Sequence, residues 1–268
     1  MTYDWSKHKF RSHYAGDLMT GLTKTQLTDS QNVKIKEYQA RDNGEGKPLT
    51  DNQKTELEKL VKKRDAPPEL SDTVISKLQE LYFEFEHGKK TQISNKFTDK
   101  GLETEAQGLT LLSEVDGKPY FKNKLRKEND LLTGLPDIDD KKSKKIIDIK
   151  ASWNHKSFPL FKKKLPTKLY WWQVQCYMWL WGYDVAEVVY VLVDTPEHLI
   201  FDEIRREAWS QNIIDPGKEF EDEIRNNLTF SDLPNKDRVK RFTVERDEYA
   251  IKQLKQRLIE CRNFLVEA

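Results

Sequence analysis

The sequence predicts an α/β fold, and three observations carry that expectation. Glu187-Val-Val-Tyr-Val-Leu-Val193 is almost continuously apolar, the pattern of a central strand buried on both faces. Ile146-Ile-Asp-Ile-Lys150 sets polar side chains at alternate positions of a second apolar strand. Apolar residues at helical spacing flank these strands, most clearly Ile251, Leu254, Leu258, Cys261 and Leu265.

The first hundred residues read as mostly helical. Leu57, Leu60 and Val61 sit in a helix opened by Thr50-Asp-Asn-Gln53, a capping-box spacing. Ser71 is placed to cap a second helix, with Val74, Ile75, Leu78, Leu81 and Phe85 along one side. The polar stretch 39–47 reads as a loop, and Asp65-Ala-Pro-Pro68 separates the two helices. No internal repeat is visible. Thr98–Leu112 predicts an amphipathic helix capped near Thr98 or Asp99, with Leu102, Ala106, Leu109 and Leu112 as its apolar stripe. At about 100° per residue, Glu105 falls within that stripe and Glu103 well off it. A carboxylate on an inward face needs a partner, either a metal ion or a buried Arg or Lys.

Gly134-Leu-Pro-Asp-Ile-Asp139 precedes the Asp148 strand, and Lys141-Lys142-Ser143-Lys144-Lys145 between them is short and polar enough for a hairpin turn. That turn brings Asp137 alongside Asp148. Lys150 shares a face with Asp148, while Ile147 and Ile149 point into a core. Two carboxylates so close raise each other's pKa unless a cation sits between them. A hard divalent ion suits them, since Mg²⁺ takes one or two carboxylates and completes its shell with water and phosphate oxygens. Such a site can cut a phosphodiester.

Tyr170-Trp-Trp-Gln-Val-Gln-Cys-Tyr-Met-Trp-Leu-Trp-Gly182 predicts a core helix ended by Gly182. Its longest uninterrupted apolar run, Cys176 to Trp181, falls far short of the roughly 20 residues that span a bilayer. Gln173 and Tyr177, four apart, share a face, and the Trp pairs read as packing. A buried Gln satisfied by neighbouring backbone is the structural alternative for Gln173. Residues 197–236 are charged, with a helix around Glu219–Asn226. Phe242-Thr-Val-Glu-Arg-Asp-Glu-Tyr249 predicts a strand ending in Glu-Arg-Asp, followed by a last helix to about Leu265.

At 268 residues, one large domain is expected. The net charge of +1 argues against a generally basic DNA coat. Residues 141–168, however, hold ten Lys and one Asp, and polyanion affinity depends on local phosphate neutralisation. Lys141, Lys142, Lys144, Lys145, Lys156, Lys162, Lys163 and Lys164 are therefore read as a DNA track leading to the carboxylates, against the alternative of a solvated loop. The start, Met-Thr-Tyr-Asp-Trp-Ser-Lys-His, lacks an apolar run, so no signal peptide is expected. Two Cys without paired spacing point to a reducing, cytoplasmic setting and exclude a four-cysteine iron–sulfur cluster.

Asp137, Asp148 and Lys150 together resemble the PD-(D/E)XK nuclease superfamily, whose pattern is an Asp, then an Asp or Glu, one residue, and a Lys. Within it, the chain looks like the phage exonucleases of the lambda exonuclease (YqaJ-type recombinase) group, a resemblance spanning roughly residues 10–265. It implies a single nuclease domain over 1–268 with a central mixed sheet flanked by helices. Residues 1–97 would be the helical N-terminal part, 98–193 the catalytic core and 194–268 the C-terminal strand and helices. Gly101 and Glu105 match the family's Gly-x-x-x-Glu helix, whose Glu helps hold metal. Gln173 and Tyr177 match its Gln-x-x-x-Tyr element, which supports the active site or contacts DNA. Phe10–Gly16 resembles a segment in which an Arg and a Ser serve DNA-end binding. His13 stands where the Ser is expected, so only Arg11 is carried over.

The resemblance further implies one or two Mg²⁺ or Mn²⁺ ions held by Glu105, Asp137, Asp148 and the Ile149 carbonyl, with Lys150 and Gln173 completing the catalytic set. The expected activity is a 5′-to-3′ exonuclease on double-stranded DNA ends. Its expected companions are a single-strand annealing protein in phage recombination and copies of itself in a ring trimer. The rivals are an endonuclease of the same superfamily and a non-catalytic DNA-binding recombination or defence protein with the same fold.

Overall fold

The structure, a computed structural model, describes residues 3–21, 27–65, 70–90 and 95–268. Its first part carries a short strand β1 (Phe10–Arg11) and helices α1 (Ala15–Leu18), α2 (Asp29–Asp42), α3 (Asp51–Asp65) and α4 (Asp72–His87). Then come α5 (Lys96–Glu103), α6 (Glu105–Asp116), β2 (Lys127–Glu128), β3 (Leu132–Gly134), β4 (Ile138–Asp140) and β5 (Lys145–Ala151). The chain continues through α7 (Lys168–Trp181), β6 (Val185–Val191), α8 (Glu197–Ser210), α9 (Lys218–Asn226), β7 (Val239–Glu245) and α10 (Glu248–Glu267).

The main sheet has the order β4-β5-β6-β7 and is mixed: β5 and β6 run parallel, and the two outer pairs are antiparallel. A parallel pair needs a crossover, and α7 supplies it. Both faces of the sheet are covered, as the apolar run in β6 requires. Leu111 and Leu112 of α6 pack with Ile147, Val189 and Val191 on one face. Val174, Met178 and Trp181 of α7 pack with Ile146, Ala186 and Val188 on the other.

Gly108 sets how closely α6 lies on the sheet. A Cβ there would stand 3.2 Å from Ile149 Cγ2 and 3.4 Å from Val191 Cγ2. Gly182 ends α7 in the left-handed region at φ 69°, as its position predicted.

A second core gathers Phe10, Leu18, Val74, Leu78, Leu132, Leu254 and Leu258 from α1, α4, α10 and a small sheet. In that sheet β3 lies between β1, parallel to it, and β2, antiparallel. Arg262 of α10 clasps the same region, donating from Nη2 to the carbonyls of His8, at 2.6 Å, and of Asp130.

Several expectations hold. Thr50 and Gln53 form the capping box reciprocally, at 3.1 and 3.4 Å. The stripe Ile251, Leu254, Leu258, Cys261 and Leu265 is buried. Others are corrected. Helix α2 continues to Asp42, which shortens the predicted 39–47 loop. Ser71 precedes α4, but its hydroxyl turns to the Thr20 carbonyl instead of capping, and Ile75 is exposed. The Ala66–Pro68 separator lies outside the described residues. The single helix over 98–112 is two helices that break at Thr104, and α5 is capped by Asn95, whose Oδ1 accepts from the Phe97 and Thr98 amides. The buried stripe there is Lys100, Thr104, Gly108, Leu111 and Leu112. Leu102, placed in the core by periodicity, is 71% exposed, and Ala106 is exposed too.

Candidate active site

The β4–β5 pairing runs Ile138↔Ile147, Asp139↔Ile146 and Asp140↔Lys145, so its register sets Asp137 beside Asp148. Strand β4 begins only at Ile138. Where the ladder would continue, Asp137 Oδ2 accepts a hydrogen bond from the Ile149 amide at 2.6 Å. The N–H and C=O of one strand residue point to the same side, so the Ile149 carbonyl faces that open edge as well. Burial, and after it the charge of Asp148, push the Asp137 carboxyl up to about 7.

Asp148 is 2% exposed and faces α7 with Lys150. Lys150 Nζ lies 2.8 Å from Asp148 Oδ2 and donates to Gln173 Oε1 at 3.3 Å. Burial pulls the Lys150 pKa down, but the charges of Asp148 and Asp137 outweigh it and hold the ammonium above its ordinary range. Gln173 Nε2 donates in turn to Asp148 Oδ1 at 3.3 Å and to the Tyr177 hydroxyl at 2.9 Å. Gln173 thus bridges Asp148 and Lys150 through its side chain, not through backbone.

The break at Thr104 brings in the third carboxylate. Thr104 is buried, its hydroxyl donates to the Lys100 carbonyl at 2.7 Å, and its backbone leaves helical geometry at φ −99° and ψ 7°; the helix restarts with Glu105 as its first residue, a favourable end for a negative charge. Glu105 Oε1 is buried without a hydrogen-bond partner, while Oε2 meets Lys122 Nζ at 2.5 Å. Glu103 points away, toward His198 Nε2 at 3.1 Å. Glu105, Asp137, Ile149 and Lys150 line one cleft of about 540 Å³, closed on other sides by Ser152, Trp153, Tyr170 and Tyr190. The neighbouring acids are committed elsewhere: Asp139 to Trp181 and Tyr183, Asp140 to Lys118 and Ser143.

The donor set suits a hard divalent ion, being all oxygen, and the buried, unpartnered Glu105 Oε1 is an atom such an ion would satisfy. Among the described residues, no three His, Cys, Asp or Glu side chains are gathered tightly enough to enclose an ion. Lys122 pairs with Glu105 and Lys150 with Asp148.

The positions read as DNA contacts fare unevenly. Lys141, Lys142 and Lys144 are exposed in the β4–β5 turn, but β5 runs from that turn toward the cleft. At about 3.3 Å per residue, Lys145 and Ile149 are roughly 13 Å apart, so adjacency in sequence did not make these lysines neighbours of the carboxylates. Lys145 belongs to β5 and pairs with Glu187 at 2.7 Å, which removes it from a free cationic track. Lys162, Lys163 and Lys164 are exposed ahead of α7. Tyr177, read as a DNA contact, is 4% exposed, and its hydroxyl accepts from Gln173 Nε2. Arg11 is half-buried, 3.5 Å from Glu84 and 3.5 Å from the Tyr14 hydroxyl. Sequence reasoning missed Lys122 and Tyr170. Tyr170 stands three residues before Gln173, a spacing that shares its face; nothing local marks Lys122.

No family model matches the sequence, and no curated protein matches it either. Solved structures do. A phage-related exonuclease from Haemophilus somnus 129PT superposes with a TM-score of 0.63 at 25% identity, over 97% of this chain and 94% of that one. The chain has the lambda-exonuclease-like PD-(D/E)XK fold. An alkaline exonuclease from Laribacter hongkongensis, LHK-Exo, shares that fold at 13% identity and a TM-score of 0.50, over 98% of this chain and 92% of that one. On this frame Asp137 immediately precedes the short edge strand β4, and Asp148 and Lys150 lie on the internal strand β5. No helix among the described residues is long and apolar enough to cross a membrane.

Proposed function

We propose that this chain is a metal-dependent DNA exonuclease that digests double-stranded DNA from its ends, 5′ to 3′, leaving single strands for phage-type recombination. The observation that carries the reading is the clasp of Asp137 onto the Ile149 amide, which sets one carboxylate beside Asp148 and Lys150. The likeness to a phage-related exonuclease favours exonuclease over endonuclease.

Asp137, Asp148, Glu105 and the Ile149 carbonyl would hold Mg²⁺ or Mn²⁺. When bound, such an ion lowers the pKa of a water and offsets charge on the phosphate oxygens. The chain's own groups do the rest. Asp148 and Gln173 hold the Lys150 ammonium in the cleft, where it can donate to a phosphate oxygen or orient the attacking water. The Ile149 amide occupies one oxygen of Asp137 and leaves the other free to face the cleft. Enzymes lower barriers by about 8–23 kcal/mol, more than one ammonium supplies, so positioning and charge must act together.

The test is a digestion in one tube of linear duplex and covalently closed circular DNA with Mg²⁺, with Ca²⁺ and after EDTA. The expected result is loss of the linear species alone, binding without cutting in Ca²⁺, and no cutting in EDTA. Conversion of the closed circle to linear product would replace this reading with an endonuclease; cutting after EDTA treatment would end the metal assignment. Preference for a 5′-phosphorylated end, with Arg11 donating to its phosphate oxygens, and pairing with an annealing protein or a ring of copies belong to the same proposal.

A further inference from the structure

Lys150 is held on three sides, and only two of the contacts are polar. Nζ pairs with Asp148 Oδ2 at 2.8 Å and reaches Gln173 Oε1 at 3.3 Å. The third is aromatic: Nζ lies 4.5 Å from the centroid of the Tyr170 ring, within the roughly 6 Å over which a ring face attracts a cation. Tyr170 is anchored from behind. Its ring lies 6.1 Å from Tyr190 at 60°, and Tyr190 meets Phe242 edge-on at 5.8 Å and 84°. The parallel β5–β6 register pairs Lys150 with Tyr190, so this aromatic row is built into the sheet beneath the lysine. Tyr170 and Lys150 also line the same cleft as Glu105 and Asp137.

Resting on the nuclease reading above, we propose that Tyr170 is a positioning residue for the reaction. Its ring face is the wall against which the Lys150 ammonium rests, and it keeps Nζ in the cleft when substrate phosphate competes with Asp148 for the charge. Without that wall, the flexible four-carbon stem can leave the position in which Asp148 and Gln173 hold it, and Nζ swings out of the cleft. The ring, not the hydroxyl, does this.

The test compares wild type, Tyr170→Phe and Tyr170→Leu, each also carrying Lys150→Ala, on linear duplex DNA. Melting temperatures are recorded for all, together with NMR of lysine ε-¹³CH₂ groups. The phenylalanine variant should stay within about twofold of wild type. The leucine variant should lose about tenfold in kcat with KM moved less than twofold, and that loss should vanish once Lys150 is alanine. An upfield, ring-shifted ε-signal missing from Lys150→Ala should persist in the phenylalanine variant and disappear in the leucine one. If the leucine variant melts below the assay temperature, Tyr170→Met replaces it. Unchanged kcat without the ring, equal losses in the phenylalanine and leucine variants, or a loss that persists with Lys150→Ala would each overturn the proposal. A wild-type chain that cuts no DNA overturns the nuclease reading and the role of Tyr170 with it, and the ε-signal then reports a packing contact only.

Discussion

Asp137 Oδ2 accepts from the Ile149 amide at 2.6 Å, so a side chain makes the bond that the backbone of a longer β4 would otherwise make. The carboxylate is thereby tied to the backbone between Asp148 and Lys150, and any movement of one is felt by the others. Asp137→Asn keeps an acceptor oxygen for that amide, whereas Asp137→Ala leaves it unpaired. Asparagine should abolish nuclease activity with little change in stability; alanine should abolish activity and also cost about 1–3 kcal/mol. Urea titrations of both variants beside a digestion assay check this, and equal stabilities would contradict it.

Glu105 and Glu103 are two residues apart and face different surroundings. Glu105→Gln should reduce cutting sharply, because its buried oxygen lines the cleft. Glu103→Gln removes only an exposed contact with His198 and should leave the rate within about twofold, as surface pairs contribute little. Initial rates at several Mg²⁺ concentrations distinguish them, since the Glu105 variant alone should require more metal.

Gly108 lets α6 approach the sheet: a Cβ there would stand only 3.2 Å from Ile149 Cγ2. Gly108→Val adds bulk where Ile149 and Val191 already sit, and overpacking of this kind costs about 1–3 kcal/mol. The displaced helix carries Glu105 with it, so activity should fall by more than the unfolded fraction explains. Parallel thermal melts and rates at a temperature where the variant stays folded measure the excess.

His8 should give the fold a pH dependence unrelated to the cleft. It is 2% exposed among Trp5, Phe10 and Phe85. Burial, then the charges of Arg262 and Arg11, push its pKa down to about 4. The unfolded imidazole takes a proton near 6.5, so between about 6.5 and 4 the unfolded chain binds more protons and stability falls as pH falls. The contribution is complete above pH 6.5, and on the order of 3 kcal/mol is lost by pH 4. In His8→Phe the melting temperature should drop less from pH 7.5 to pH 4.5 than in wild type; identical drops would contradict the assignment.

The hairpin was legible in the sequence because alternation is strict there: Ile147 and Ile149 against Asp148 and Lys150 leave one possible facing. Helix α7 was legible because its apolar run stops at a glycine. Glu105 and not Glu103 lines the cleft, but the stripe that pointed to it includes exposed Leu102 and Ala106; the break at Thr104 is a backbone departure, φ −99° and ψ 7°, that hydropathy does not register. Helix α8 escaped notice because exposed Phe201 and Trp209 blur the stripe of Leu199, Ile200, Ile204 and Ala208. The two- and three-residue strands of the small sheet are too short to show any period. Lys145 and Lys122 look like free cations until Glu187 and Glu105, distant in sequence, arrive beside them.

Arg262 holds the carbonyls of His8 and Asp130 with one guanidinium nitrogen, and this sets a clock on synthesis. A ribosome adding about 5–20 residues per second needs tens of seconds to travel from position 8 to position 262. Throughout that interval the strand bearing Arg11 has no clasp, and during its later part Asp137, Asp148 and Lys150 have already been made. A chain interrupted before α10 therefore carries its acidic cluster without the brace that closes the N-terminal segment, and the fold is complete only when the last helix has been made.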